Sequence, residues 1–150
     1  MKKMRRNTDQ AVVPHFTQHG RMESRIDNNI LVNEATGPFN AEVIYAIESI
    51  QKDLLDLLAP HDKWAQIYIF HDSALCSLDT VDAIRDYLTK LRGTMKKPVA
   101  TAYVMGKKVE GRSIMASHYQ QLYAEADLNY QLFFTESEAQ QWIATMLEQE

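Results

Sequence analysis

Residues 65–70 read Ala-Gln-Ile-Tyr-Ile-Phe and form a compact apolar run in the middle of the chain. β-Branched and aromatic side chains fit the pleated surface of a sheet, and a run of this length is typical of a buried strand. Pro60 lies in a helix-breaking segment before the run, and His71 begins a polar segment after it. We therefore predict a central strand here and place the neighbouring elements relative to it.

Before this strand, the sequence predicts a hairpin and then a long helix. Residues 21–26 and 30–36 are strand-like segments on either side of a turn at Asp27-Asn28-Asn29. Asn40 is a favourable N-cap for a helix that reaches about Leu58. Apolar residues spaced three and four apart form a single stripe along that helix, which predicts that one of its faces packs on the sheet.

After the central strand, strands and helices alternate. The predicted elements are a helix over about 78–92, a strand over 98–105, a helix over 112–126, a strand over 130–134 and a closing helix that begins with the capping box Thr135-Glu136-Ser137-Glu138. Such alternation implies parallel strands joined by right-handed crossover connections. The sequence therefore predicts one α/β domain, a single mixed, mostly parallel five-stranded sheet flanked by four helices.

The composition is that of a folded globular chain. Hydrophobic residues make up 45% and charged residues 24% of the 150 residues, which is enough apolar side chain for one core. The single cysteine, Cys76, excludes an internal disulfide and fits a reducing compartment, so we expect a cytoplasmic protein. No apolar run approaches the ~20 residues that cross a bilayer.

Charge is distributed unevenly along the chain. Residues 1–25 carry six basic and two acidic side chains, a net +4, whereas residues 26–150 carry ten basic and eighteen acidic side chains, a net −8. An acidic body repels phosphate backbones, which argues against nucleic-acid binding. The basic start lacks the apolar segment of a signal peptide. We predict a flexible basic leader at residues 1–21 and a folded domain at residues 22–150, and a weak tether to anionic surfaces is the alternative role for the leader.

Three short motifs resemble the SpoIIAA-like family. They are Gly37-Pro38-Phe39-Asn40, Trp64-Ala65, and the stretch 133–139 that leads to Trp142. That family is related to the STAS domain (sulphate transporter and anti-sigma-factor antagonist) and shares features with the CRAL-TRIO lipid-carrier fold. The resemblance covers roughly Met22 to the C-terminus. It implies a SpoIIAA/STAS-like fold, binding of apolar small molecules or lipids, and association with membranes.

The start of the second helix resembles the regulatory loop of better-known STAS members, which act without catalysis. Some of those are switched by phosphorylation in an Asp-Ser-Ser-Gly loop, and the matching stretch here is Asp79-Thr80-Val81-Asp82. Val81 stands where the phosphorylated serine would be, so Ser77 and Thr80 remain as candidate acceptors. The resemblance implies that Ser77, Asp79 and Thr80 face a partner protein. The competing interpretation is that they only cap the helix.

The loop before the third helix predicts an anion or lipid site. Gly106 to Gly111 carries Lys107 and Lys108, and Arg112 follows at a helix start, where free N–H groups attract anions. Along the third helix, Ile114 is expected to face inward. Met and Tyr residues are concentrated in the second half of the chain and predict an apolar groove between the second and third helices; they are Met95, Met105, Met115, Tyr103, Tyr119 and Tyr123. Met105, Lys107, Arg112 and Met115 are expected to edge the site. A solvated connector and an ordinary core are the alternatives.

Other chemistries leave weaker signals. Cys76 follows His71 and Asp72 at the end of the central strand, which keeps a small hydrolase as an alternative, but no nucleophile motif surrounds the thiol. The histidines are scattered and no metal-binding motif occurs, so we expect no metal and no cofactor.

The leading functional prediction is a non-enzymatic, STAS-like module that is either regulatory or binds a small apolar ligand or a lipid, and a weak peripheral membrane contact is compatible with it. The alternative is an anti-sigma-factor-antagonist-type signalling module that binds a regulatory protein and is switched by Ser/Thr phosphorylation. The sequence leaves open the ligand, the partner protein and the oligomeric state, a homodimer included.

Overall fold

A six-stranded mixed sheet forms the centre of the computed structural model, which describes residues 5–8, 20–93 and 97–149. The strands lie side by side in chain order, with β1 and β2 antiparallel to their neighbours and β3 to β6 parallel. Their bounds are β1 Arg5–Asn7, β2 Arg21–Asp27, β3 Ile30–Thr36, β4 Ala65–His71, β5 Thr101–Met105 and β6 Tyr130–Phe133. The described residues thus confirm the α/β class and the mostly parallel sheet.

Four helices connect or follow the parallel strands, at bounds close to those predicted. They are α1 Ala41–Leu58, α2 Leu78–Arg92, α3 Arg112–Glu125 and α4 Glu136–Glu148. The side chains of Asn40, Ser77 and Thr135 cap α1, α2 and α4, whereas Gly111 precedes α3 without a side-chain cap. The predicted capping box of α4 is present, because Thr135 and Glu138 each accept from the other's backbone N–H.

The predicted strand count of five is wrong, since β1 adds a sixth strand. Its three residues pair with β2, and Arg5 lies opposite Arg25. A short polar strand at a sheet edge has no apolar periodicity, so the sequence offers no signal for it. β1 falls within the predicted leader, of which residues 1–4 and 9–19 lie outside the described residues.

The helices form two unequal layers on the sheet. Helices α1, α2 and α3 pack on one face, in a core that includes Leu31, Tyr68 and Tyr103 from the strands. Among the described helices, only α4 packs on the other face, where Ala139 and Ile143 meet the small and β-branched side chains of β3, β4 and β5. This arrangement follows from the strand order, because crossovers of one hand between successive neighbouring strands place their helices on the same face.

The loops that follow the parallel strands meet at one end of the sheet, here called the carboxyl edge. Backbone hydrogen bonds join them: Ala74 N donates to Glu110 O at 2.8 Å, Glu110 N to Asp72 O at 2.9 Å, and Phe39 N to Leu75 O at 2.9 Å. In open α/β sheets, ligands bind outside this end of the strands. The carboxyl edge comprises residues 37–40, 71–77, 106–111 and 134–135.

Candidate functional site

A surface pocket of about 330 Å³ lies at the carboxyl edge, where the β5–α3 loop enters α3. We call it the Arg112 pocket. Its volume lies within the range of about 300–1,000 Å³ that is typical of small-molecule sites. The residues that line it are Lys107, Val109, Gly111, Arg112, Ser113, Ile114 and Phe134.

Two interactions hold the Arg112 side chain in place. Its Nε donates to the backbone oxygen of Met105 at 2.8 Å, and its guanidinium carbon lies 3.8 Å from the centre of the Phe134 ring. The Lys107 Nζ lies 5.9 Å from the same ring centre. Both cations therefore lie near the Phe134 ring, because the negative face of an aromatic ring attracts positive charge. The terminal nitrogens of Arg112 remain available to a ligand, because the bond to Met105 uses only Nε.

The charge at the start of α3 is suited to an anion. The first turn of α3 has no acidic residue, and Gly111 leaves the first N–H groups without a side-chain cap. None of the ion pairs found among the described residues uses Lys107 or Arg112. The positive end of the helix dipole adds to these two charges. An anion in the Arg112 pocket would therefore meet cations whose charge no carboxylate already neutralises.

Apolar side chains form the outer rim of the pocket. Ile114 is 65% exposed and Phe134 is 46% exposed, so both present hydrocarbon to solvent beside the cations. The prediction that Ile114 faces inward is wrong, because at the first turn of α3 the neighbouring Met115 takes the buried position. The lining residues include no carboxylate, imidazole or thiol. The pocket is equipped to bind a ligand with an anionic part and an apolar part.

The structure brings together only some of the residues that were predicted to edge this site. Lys107 and Arg112 share the pocket, as expected. Met105 and Met115 do not line it and are buried in the core. Met105 points to the helix-covered face because side chains alternate along β5, and only its backbone oxygen takes part, through Arg112.

The predicted partner-facing residues at the start of α2 divide into exposed and buried ones. Ser77 and Asp79 are exposed, and the Ser77 hydroxyl caps the helix by accepting from Thr80 N at 3.3 Å. Thr80 is fully buried, and its hydroxyl donates to the backbone oxygen of Phe39 at 3.3 Å. Thr80 therefore ties α2 to the loop after β3, contrary to the prediction that it faces a partner.

Cys76 lies in an environment that disfavours the thiolate. Partial burial raises the pKa of its thiol, although a hydrogen bond from Tyr119 works in the opposite direction. The Tyr119 hydroxyl lies 3.7 Å from the sulfur. The imidazole of His71 pairs instead with Glu34, at 3.0 Å. These contacts supply Cys76 with no base of the kind that activates a nucleophilic thiol.

A second cavity lies inside the protein, between the sheet and the first three helices. Its volume is about 50 Å³, and its wall is mainly aromatic and aliphatic, with Tyr103, Tyr119 and Tyr123 among the lining residues. This space differs from the predicted groove, since α1 also lines it and Met105 and Met115 do not. It is much smaller than the roughly 300–1,000 Å³ of typical ligand sites. Met95, predicted for the groove, lies outside the described residues.

Among the described residues, no cluster of three metal-ligating side chains occurs, and no helix is long and apolar enough to span a membrane. Comparisons with family models, with curated proteins and with solved structures found no match to this chain.

Proposed function

We propose that this protein is a non-enzymatic, STAS-like binding module that holds an anionic amphiphile in the Arg112 pocket. An anionic phospholipid at a membrane surface is the form of ligand that we favour. The observation that carries the proposal is the meeting of two unpaired cations, Lys107 and Arg112, with exposed apolar side chains at one pocket. The resemblance to the SpoIIAA-like family supports the same class of ligand.

The cations provide the electrostatic part of the binding. A basic residue close to an anionic membrane surface contributes about 1 kcal/mol, so two of them give an affinity that depends strongly on salt. The body of the protein is acidic, with a net charge of −8 over residues 26–150. General attraction to anionic surfaces is therefore weak, and binding through the Arg112 pocket should fix the orientation of the protein on the membrane.

The rim provides the apolar part of the binding. Ile114 and Phe134 stand beside the cations and are solvated in the free protein. Removing apolar surface from water stabilises the bound state by roughly 25 cal/mol per Å². The internal cavity offers no comparable space for an acyl chain at about 50 Å³. We therefore place the hydrocarbon of the ligand over the rim rather than in the core.

Sedimentation with lipid vesicles tests this proposal. The protein is mixed with phosphatidylcholine vesicles prepared with or without phosphatidylglycerol, and the bound fraction is measured at several salt concentrations. We expect binding only to the anionic vesicles and a decrease with added salt. Arg112→Gln and Lys107→Gln should each weaken binding about fivefold, which corresponds to one basic contact. Circular dichroism checks that both variants remain folded.

Arg92→Gln is the matched control for these variants. Arg92 is exposed at the end of α2, at the end of the sheet opposite the carboxyl edge, and its loss changes net charge equally. We expect this variant to bind within twofold of the unmodified protein. Equal weakening by Arg92→Gln and Arg112→Gln would contradict a localised site, and so would equal binding to both kinds of vesicle.

A soluble anion distinguishes a headgroup site from a membrane site. Calorimetry with glycerol 1-phosphate measures the anionic contact alone. We expect weak binding that Arg112→Gln abolishes and that Ile114→Ser leaves within twofold, because Ile114 holds neither cation in place, whereas Ile114→Ser should reduce vesicle binding severalfold. If Ile114→Ser leaves vesicle binding unchanged, the apolar rim takes no part and the anionic headgroup alone is recognised.

A further inference from the structure

Ser113 places a hydroxyl group on the wall of the Arg112 pocket. It is exposed, follows Arg112 in the first turn of α3, and lines the same space as Lys107. No hydrogen bond within the described part of the chain engages its Oγ. An anionic group attached to this oxygen would occupy the position that an external anion needs.

The start of α3 differs in charge from the other helix starts. Among the four described helices, α3 alone has no acidic residue in its first turn; the acidic residues there are Glu42 in α1, Asp79 in α2, and Glu136 and Glu138 in α4. A phosphate beside Asp or Glu is repelled, whereas one beside Lys or Arg gains charge-assisted hydrogen bonds. A phosphate would therefore be stabilised on Ser113 but not on Ser77.

We propose that Ser113 is a phosphorylation site and that its phosphate closes the Arg112 pocket to the external ligand. The identity of that ligand rests on the proposed function. A protein kinase would transfer the γ-phosphoryl group of a nucleoside triphosphate to Ser113 Oγ. The new P–O bond forms as the bond to the β-phosphate oxygen breaks, the hydroxyl proton passes to the base of the kinase, and the nucleoside diphosphate leaves.

Tethering gives the attached phosphate an advantage over ligands in solution. A phosphoserine carries a charge of about −1.5 to −2 at neutral pH. Groups joined by a short link meet at an effective concentration in the millimolar range. The phosphate would thus compete with a weakly bound headgroup and would also neutralise the two cations that attract an anionic membrane. Modification should release the protein from its ligand.

Phosphorus NMR of the modified protein tests the contact directly. Phosphoserine is incorporated at position 113 or, as the matched control, at position 77, and each phosphate is titrated with pH. We expect the phosphate at 113 to titrate below the usual pKa of about 6, and Arg112→Gln to return it towards that value. The phosphate at 77, beside Asp79, should not titrate lower than usual. Coincident titrations at the two positions would overturn the inference.

Vesicle binding tests the consequence for the ligand. Phosphoserine at 113 should weaken binding to phosphatidylglycerol vesicles at least tenfold, and phosphoserine at 77 less than twofold. Equal weakening at both positions would mean a general charge effect and would overturn the inference. If the unmodified protein does not bind these vesicles, the proposed function fails. The phosphorus titration is independent of the vesicles, and an unshifted phosphate at 113 contradicts the present inference alone.

Discussion

Gly111 sets the geometry at the start of α3. Its φ is +77°, in the left-handed region, and a Cβ built on it would lie 2.4 Å from Leu75 Cδ2. Only glycine avoids both the strain and the overlap, so this residue allows the β4–α2 loop to pack against the β5–α3 loop. The position of Arg112, the next residue, depends on that close approach.

We predict that Gly111→Ala destabilises the protein by about 1–3 kcal/mol, because it adds left-handed strain and a core overlap. Thermal unfolding measured by circular dichroism checks this. Gly93→Ala is the control, since its φ is −73° and the nearest atom to an added Cβ is 3.5 Å away. That variant should unfold within a few degrees of the unmodified protein. Equal losses for both variants would contradict the role assigned to Gly111.

Cys76 allows a second prediction at this scale. Burial raises the pKa of the thiol above its usual 9.0, so the thiol should stay protonated and react slowly near neutral pH. The rate of alkylation by iodoacetamide, followed against pH by mass spectrometry, should rise with a midpoint above 9.0. A midpoint below that value would show an activated thiol and would reopen the hydrolase alternative.

The sequence predicts the charged residues of the Arg112 pocket better than its apolar ones. Lys107 and Arg112 are recognisable because each follows a glycine, in the loop that leads into the start of a helix. The exposure of Ile114 and Phe134 depends on which helix face the sheet covers and on where β6 ends, and neither is readable from local pattern. Met105 was predicted to edge the site but is buried, because alternation along a strand separates two sets of side chains without showing which face of the sheet each set meets.

Elements are predicted more accurately than site residues, because caps and apolar periodicity are local signals. The capping box of α4 is an example: Glu138 N donates to Thr135 Oγ1 at 3.2 Å, and Thr135 N donates to Glu138 Oε1 at 3.2 Å. Strand β1 is the counterexample, since a three-residue polar strand forms only because the edge of β2 accepts it.

Thr135→Ala should destabilise α4 by about 1 kcal/mol, through the loss of its N-cap. Since α4 is the only described helix over its face of the sheet, that loss should appear in the unfolding of the whole domain. Thr145→Ala removes a threonine hydroxyl from the exposed interior of the same helix and should be nearly neutral. Urea unfolding of both variants checks this, and a Thr145 effect as large as that at Thr135 would contradict it.

At the scale of the whole molecule, the strand order places the antiparallel strands at one side of the sheet, beyond the area that α4 covers. Glu34 is bonded to Arg25 and His71 on that side of the sheet, with Arg25 Nη1 2.7 Å and His71 Nε2 3.0 Å from the two carboxylate oxygens. Burial alone would raise the pKa of Glu34, but hydrogen bonds from His71 and Arg25 outweigh it and lower the pKa.

Glu34 should therefore make stability depend on pH in the acidic range. Its folded pKa is below the usual 4.5, so its contribution is present above that value and is lost as the pH falls through the folded pKa. Glu34 is 37% exposed, which limits the effect to less than about 1 kcal/mol. Thermal midpoints measured against pH should show Glu34→Gln less stable near neutrality and the difference shrinking in acid. A constant difference would contradict this.

The proposed recognition of an anionic amphiphile at the start of α3 can be tested directly. The most direct measurement is a titration of the isotope-labelled protein with a short-chain phosphatidylglycerol, followed by amide chemical shifts. We expect the largest shifts at residues 107–114 and at Phe134, with small shifts at the start of α2. Shifts centred instead on the cavity beneath α1 and α2, or no shifts at saturating lipid, would contradict it.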